Sequence, residues 1–370
     1  MYRTLMIAIL SLTLALSLYG TLAMSEQVEV HNDKLYVTCK GENYVQVINV
    51  STGAVDRMIP VGSQPYLIAL NTDHARALVV NYDDGTISVI DTADDTLVNT
   101  FKVEQGPTGV AFSNDGSRAY VSNAYGFQIS IYDVATGDRI VTMPAVHPSG
   151  IAAGEDGLVY ALDPGDNRLL VINPATGLID AVIPAGGSFN GIVIVPGGTA
   201  LISSTTDGNI SFVDLASRKV NASVSAGNGP YGMAVSPDNR TVYVTNMNGN
   251  TLAVLDLSNR AITGTATVGK MPAGVALSED GRQAYVANSG GDTISVIDTA
   301  PLKVNRTFAT GKTPYGVAYI VNTTYVDVQP SPTPAPLFCS GNSLIDFGLI
   351  VLVLLLVAIA GAISYRRIGK

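Results

Sequence analysis

A unit of about 42 residues recurs seven times along the chain, and that recurrence limits the fold more than any other feature. Each copy opens with a short β-rich run ending in a small polar residue. The runs are Tyr36-Val37-Thr38-Cys39, Leu78-Val79-Val80-Asn81, Tyr120-Val121-Ser122-Asn123 and Tyr160-Ala161-Leu162-Asp163, then Leu201-Ile202-Ser203-Ser204, Tyr243-Val244-Thr245-Asn246 and Tyr285-Val286-Ala287-Asn288. Their last positions lie 42, 42, 40, 41, 42 and 42 residues apart. A second marker follows in each copy, as in Ile87-Ser88-Val89-Ile90-Asp91 and Ile294-Ser295-Val296-Ile297-Asp298. Its alternation of apolar and polar residues has the period of a β-strand.

Two further strands complete the unit. One lies around 97–103, 220–225 or 304–309; the other follows a Pro-X-Gly step, as in Pro107-Thr108-Gly109-Val110 and Pro230-Tyr231-Gly232-Met233. Four short strands per repeat are the content of one propeller blade, and the chain shows no useful helical periodicity before residue 344. The expected fold is therefore all-β: a seven-bladed β-propeller over residues 35–321. With strands named A to D outward from the axis, the first repeat starts at B and the last stretch supplies a spare A, Pro314-Tyr315-Gly316-Val317-Ala318-Tyr319. One blade is expected to join the two ends of the chain, which also hides otherwise open strand edges.

Tyr243-Val244-Thr245-Asn246, with Ser236-Pro237-Asp238 before it and Val254-Leu255-Asp256 after it, resembles the YVTN β-propeller repeat family. The resemblance covers roughly residues 35 to 321. It implies the propeller fold and, by similarity to archaeal surface-layer and cell-surface members, an extracytoplasmic location. Activity is implied only weakly, because propellers host binders, scaffolds and enzymes alike.

The termini point the same way. Arg3, an apolar run over 5–18 and Thr21-Leu22-Ala23 read as a signal peptide over 1–23, followed by a lead-in over 24–34. Residues 322–343 read as a stalk containing Pro-Ser-Pro-Thr-Pro-Ala-Pro, a composition that favours an extended spacer. Residues 344–364 read as a transmembrane helix and 365–370, with Arg366, Arg367 and Lys370, as a basic cytoplasmic tail. A single-pass cell-membrane protein with its propeller outside is the expected topology. The net charge of −9 argues against nucleic acid as a partner and leaves envelope glycans or other surface proteins. Cys39 and Cys339 form either one bridge or two thiols; no CxxC motif marks redox chemistry or haem attachment.

The Pro-X-Gly step places one residue per blade at the mouth of the central channel: Tyr66, Thr108, Ser149, Asn190, Tyr231, Ala273 and Tyr315. They form a polar pocket or simply plug the channel. Tyr82, Asp83, Asp84, Tyr125 and Phe127, on the B–C loops of two adjacent blades, make an aromatic and acidic patch suited either to a partner or to loop packing. Sequons stand at Asn49, Asn209, Asn221, Asn239, Asn305 and Asn322, candidate glycosylation sites in an exported protein. His31, His74 and His147 show no metal-ligand spacing, and Asp166 alone is a weak calcium signal. Asp91, Asp133, Asp214, Asp256 and Asp298 recur once per blade at turns, a structural pattern. The sequence thus predicts a non-enzymatic display, adhesion or envelope-layer platform without cofactor or metal. The alternative is an extracytoplasmic enzyme of lactonase-like or quinoprotein-like type, for which His147 is the obvious base near the mouth.

Overall fold

The computed structural model describes residues 26–328. Each repeat forms a four-stranded antiparallel sheet, and there are seven. Blade 1 joins the two ends of the chain: strand A is Pro314–Ile320, followed by B (Lys34–Cys39), C (Tyr44–Asn49) and D (Val55–Pro60). Its register pairs Leu35 with Tyr319 and Val37 with Val317, so the ring closes as the spare strand foretells. Blade 2 runs through Pro65–Leu70, Arg76–Asn81, Thr86–Asp91 and Thr96–Lys102. The A strands of blades 3 to 7 are Pro107–Phe112, Ile151–Ala153, Phe189–Val195, Pro230–Val235 and Pro272–Leu277.

Packing between blades explains the residue pattern. An apolar cluster fills each interface: Leu78, Val80, Ile87 and Phe101 of blade 2 meet Val110, Phe112, Val121 and Tyr132 of blade 3. On the other face of the same strands, Ala77, Val79 and Ile90 meet Tyr36, Val45 and Val47 of blade 1. Strands B and C are thus buried on both sides, with burying each Val or Ile worth about 1.5–3 kcal/mol. The alternation in strand C therefore does not mark a solvent face. Ser88 and Ser295 are buried, and each accepts a hydrogen bond from the Asn that ends strand B, Asn81 or Asn288, at 2.9 Å. The outer D strands alone carry the mixed, largely exposed pattern, as in Leu302–Ala309.

The Pro-X-Gly step is a bulge. In blade 6 Pro230 pairs with Asn246 and Met233 with Val244, so Tyr231 and Gly232 together face Thr245. The glycine is required by close approach: a Cβ on Gly232 would lie 2.3 Å from the carbonyl oxygen of Ala273 in the next blade. Thr245 completes the joint. Its hydroxyl accepts from Gly232 N at 2.9 Å and donates to Ala273 O at 2.6 Å. Thr38 repeats this between blades 1 and 2, accepting from Gly316 N and donating to Tyr66 O, both at 2.7 Å.

In addition to the seven blade sheets, Glu26–His31 pairs with Thr323–Val328 in a two-stranded sheet, where the sequence suggested only a lead-in and the start of a stalk. The expectation of a single-pass membrane protein is corrected. Among the described residues no helix is long and apolar enough to cross a membrane, and the one helical element is a three-residue turn, Pro164–Asp166. A spanning helix needs about 20 residues. The signal peptide, the Pro-rich run, residues 344–364, the basic tail and Cys339 lie outside the described residues. Cys39 is buried, and burial pushes its thiol up to about 12.

Candidate functional site at the channel mouth

The A strands begin at one end of the channel, so the X residues of the bulges converge there. They do not converge equally. Tyr66, Tyr231 and Tyr315 meet: the Tyr66 hydroxyl lies 2.7 Å from that of Tyr231 and 2.9 Å from that of Tyr315. The Tyr66 and Tyr315 rings stack with centroids 4.3 Å apart, and Tyr231 meets Tyr315 edge-on at 5.7 Å. Of the other four ring positions, Thr108, Ser149 and Ala273 tie blades together, while Asn190 bonds within blade 5. Thr108 donates to Pro148 O at 2.8 Å, Ser149 donates to Phe189 O at 3.3 Å, Asn190 donates to Thr205 Oγ1, and the Ala273 carbonyl takes the Thr245 bond. A channel cavity of about 280 Å³ is lined by Tyr66, Thr108, Ser149, Asn190 and Tyr231, by the bulge glycines, and by apolar side chains such as Leu67, Ile68, Ile192 and Met233; Tyr315 is not part of its lining.

From this cluster an arc of rings runs outward. Tyr66 and Tyr82 lie 6.0 Å apart, Tyr82 and Tyr125 6.1 Å, Tyr125 and His147 6.1 Å, and His147 and Phe127 4.7 Å. Tyr125 and Phe127 are 56% and 52% exposed, so this part of the predicted patch is an open aromatic surface. Asp83 and Asp84 play another part, accepting from Gln64 Nε2 and from the Ser63 backbone and so fixing the loop before blade 2.

Lys40 is the site residue that sequence reasoning missed. It follows strand B of blade 1, and its ammonium lies 4.8 Å from the Tyr66 ring centroid, 5.4 Å from Tyr315 and 5.7 Å from Tyr82. Among the described residues that ammonium makes no hydrogen bond or ion pair. A signal was present in the repeat. The residues following strand B are Lys40, Tyr82, Ala124, Pro164, Thr205, Met247 and Ser289, and only the first is charged.

The electrostatics follow from burial. Desolvation lowers the pKa of Lys40, with Asp83 acting weakly in the opposite sense. Desolvation, then neighbouring phenols, holds Tyr231 and Tyr315 well above the ordinary tyrosine value, and Tyr82 is pushed up to about 12. These phenols remain protonated donors across the working pH range.

Blade 4 departs from the repeat beside the arc. Asp163 stands where blades 2, 3, 6 and 7 have Asn, fully buried and bonded to Arg168 Nε at 2.9 Å. Its other oxygen accepts from Val146 N at 2.8 Å, holding the loop that presents His147 at a left-handed φ of 55°. Asp166 pairs with Arg168 at 2.8 Å rather than joining an acidic set. No group of three or more His, Cys, Asp or Glu able to hold a metal occurs among the described residues. Four of the once-per-blade acids, Asp91, Asp133, Asp214 and Asp256, accept from backbone N–H groups of their own turns, whereas Asp298 accepts from the side chains of Gln283 and Asn305. Of the sequons, Asn221, Asn239 and Asn305 are exposed and Asn49, Asn209 and Asn322 half-buried; the Asn49 amide oxygen accepts from Ser51 N and Thr52 N.

Residues 201–318 match the family model of the seven-bladed β-propeller lactonases. A stretch of 125 residues is 26% identical to Protein NirF of Pseudomonas aeruginosa, covering 33% of this chain and 32% of that protein, so the match spans about a third of the curated relative. Among solved structures, a putative 6-phosphogluconolactonase from Bacteroides uniformis superposes with a TM-score of 0.67 at 17% identity, over 78% of this chain and 99% of that one. Dihydro-heme d1 dehydrogenase NirN does so with a TM-score of 0.60 at 16% identity, over 75% and 63%. At such identities the likeness is one of fold.

These findings change two expectations. The lactonase match overturns the reading of the chain as a non-enzyme. The resemblance to surface-layer propellers is reduced to its coarser content, a seven-bladed propeller with lactonase likeness over 201–318.

Proposed function

We propose that the chain is a lactonase-like propeller that binds a small cyclic ester at the channel mouth and opens it with water. The carrying observation is the phenol cluster. Two O–H···O contacts among Tyr66, Tyr231 and Tyr315 use two of three hydroxyl protons, which leaves one to donate to a ligand oxygen. Addition of water to a lactone carbonyl puts negative charge on that oxygen. A fixed donor in a partly desolvated site stabilises such charge more than bulk water does. Because Tyr231 and Tyr315 resist ionisation, the cluster acts as donor rather than base. The proton released by the attacking water leaves through the open mouth, and the cleaved alkoxide regains one there. The cavity of about 280 Å³ suits a molecule the size of one sugar ring. Tyr231 and Tyr315 both fall within the stretch that matches the lactonase model.

Proton release from δ-gluconolactone and other small lactones, measured at constant pH, tests the proposal. Hydrolysis above the spontaneous rate is expected, with Tyr66→Phe lowering kcat by about 10²–10³, the usual cost of one oxyanion donor. Purified, folded protein that accelerates no lactone, or a Tyr66→Phe variant as active as the parent, would overturn it.

A further inference from the structure

We infer that Lys40 is the anchor for an anionic group, carboxylate or phosphate, on the ligand of the channel mouth; this rests on the mouth being the binding site. Half-buried ammonium groups are costly unless paired. Lys34, the other half-buried lysine among the described residues, obeys that rule through a 2.8 Å bridge to Asp95. Exposed Lys312 pairs with Asp292 at 3.2 Å. Lys40 does not pair. The rings of Tyr66, Tyr82 and Tyr315 surround its ammonium without offering a formal charge. The nearby acid, Asp83, is engaged by Gln64.

The loop that carries Lys40 is fixed, so the ammonium does not reach this place by chance flexibility. Lys40 N bonds Thr313 O and Gly41 N bonds Lys312 O, both at 3.0 Å, tying the loop to the entry of strand A in the same blade. The ammonium therefore stands over the Tyr66 and Tyr315 rings of the phenol cluster, held at the blade 1–blade 2 joint. An anion there would gain a charge-assisted bond that nothing in the described chain supplies. A planar or ring-shaped body could lie across Tyr82 and Tyr125 at the same time.

The ligand class that matches is a sugar-sized acid or phosphate ester. The groups facing the ammonium are Asp83 and the phenols of Tyr66, Tyr82 and Tyr315. Tyr82 and Tyr315 ionise only far into alkali. Desolvation makes Lys40 lose its proton before an ordinary lysine would, so anion affinity should fall as pH rises toward the normal lysine range.

The test is equilibrium binding of glucose, gluconate and glucose 6-phosphate to the full chain. Titration calorimetry reads each affinity, and with no tryptophan in the chain a change in tyrosine emission provides a second readout. At least one anion should bind tighter than glucose, and which one binds identifies the headgroup. Lys40→Met, which keeps the stem over the rings, should reduce the anion-to-glucose affinity ratio by about 10–100-fold. Lys40→Arg should restore most of it and remove the alkaline fall. Equal binding of all three ligands, no saturable binding of either anion, or a ratio unchanged in Lys40→Met would overturn the inference. Lactone hydrolysis is scored separately. Lys40-dependent anion binding without hydrolysis removes the catalytic proposal and keeps this one; hydrolysis without such binding does the reverse.

Discussion

At the turn after strand A of blade 3, the Asp115 carboxylate accepts from the hydroxyls of Ser113 and Ser117 and from Ser117 N, at 2.5–3.1 Å. Those bonds, the Ser113 hydroxyl first, hold its pKa at about 2. Asp133, Asp214, Asp238, Asp256 and Asp280 are lowered for the same reason, each accepting hydrogen bonds in its own turn. A depressed carboxyl stabilises the fold above its unfolded pKa of about 4, and that contribution is lost as pH falls through the folded value. Asp163 works the other way, because burial raises it. Glu42 and Asp292 are lowered as well, so one raised carboxyl stands against eight lowered ones and the net sign is clear. The melting temperature should hold down to about pH 5 and drop progressively toward pH 2, and Asp115→Asn should flatten part of that drop. Thermal unfolding across this range checks it; a flat profile would show that the turn carboxylates do not matter to stability. Residues of this kind were legible from their period alone. Lys40 showed only as the one charged residue among the seven that follow strand B, and only the fold reveals three rings around it.

The element scale turns on the joint between A strands. Pro-X-Gly looks like a turn signal in one dimension, since proline and glycine both favour turns. In the structure it is a bulge that lets neighbouring backbones touch near the axis, and Gly109, Gly150, Gly191, Gly232, Gly274 and Gly316 all occupy it. Blade 2 differs, with Leu67 at the corresponding position. Gly232→Ala should cost about 2–4 kcal/mol, because the added Cβ meets backbone rather than a side chain that can swing away. Thr245→Val should cost about 1–3 kcal/mol, leaving Gly232 N and Ala273 O without their hydroxyl. Urea unfolding at equilibrium measures both, and a Gly232→Ala variant as stable as its parent would show that the joint yields more easily than its geometry says. Strand C was half legible. Its Val and Ile content announced a strand, but alternation with serine resembled a surface pattern. Only a stack of blades, each covering both faces of the next, buries that serine against asparagine.

At the scale of the whole molecule, the blade that closes the ring is also the one bearing Lys40 and Tyr315. It is pinned on both flanks. Lys34 and Tyr36 reach Asp95 of blade 2, while Arg306 of blade 7 donates to Val50 O at 3.2 Å and Ser51 O at 2.9 Å. Its strand A buries Val317, Ala318, Tyr319 and Ile320, all less than 9% exposed. Losing that burial forfeits on the order of 5–10 kcal/mol, which is comparable to the entire net stability of an ordinary domain. Truncation after Thr313 should therefore abolish cooperative folding rather than merely loosen one edge, and it should expose strand B of blade 1 to aggregation. A circular permutant separates closure from chain order. Asn32 N and Asn322 O lie 2.8 Å apart, so a short linker can join them. New ends between Gly197 and Gly198 fall in an exposed turn where a Cβ would meet nothing within 4 Å. That permutant moves the non-covalent joint to blade 5 without removing a strand. It should melt cooperatively and keep Lys40 and the three phenols in place, read by circular dichroism and by the tyrosine signal of anion binding. If the truncated chain also melts cooperatively at the parent's temperature, strand A of blade 1 does not hold the ring. If the permutant fails to fold while the parent does, blade 1 is special as a closing blade and its equivalence to the other six is lost.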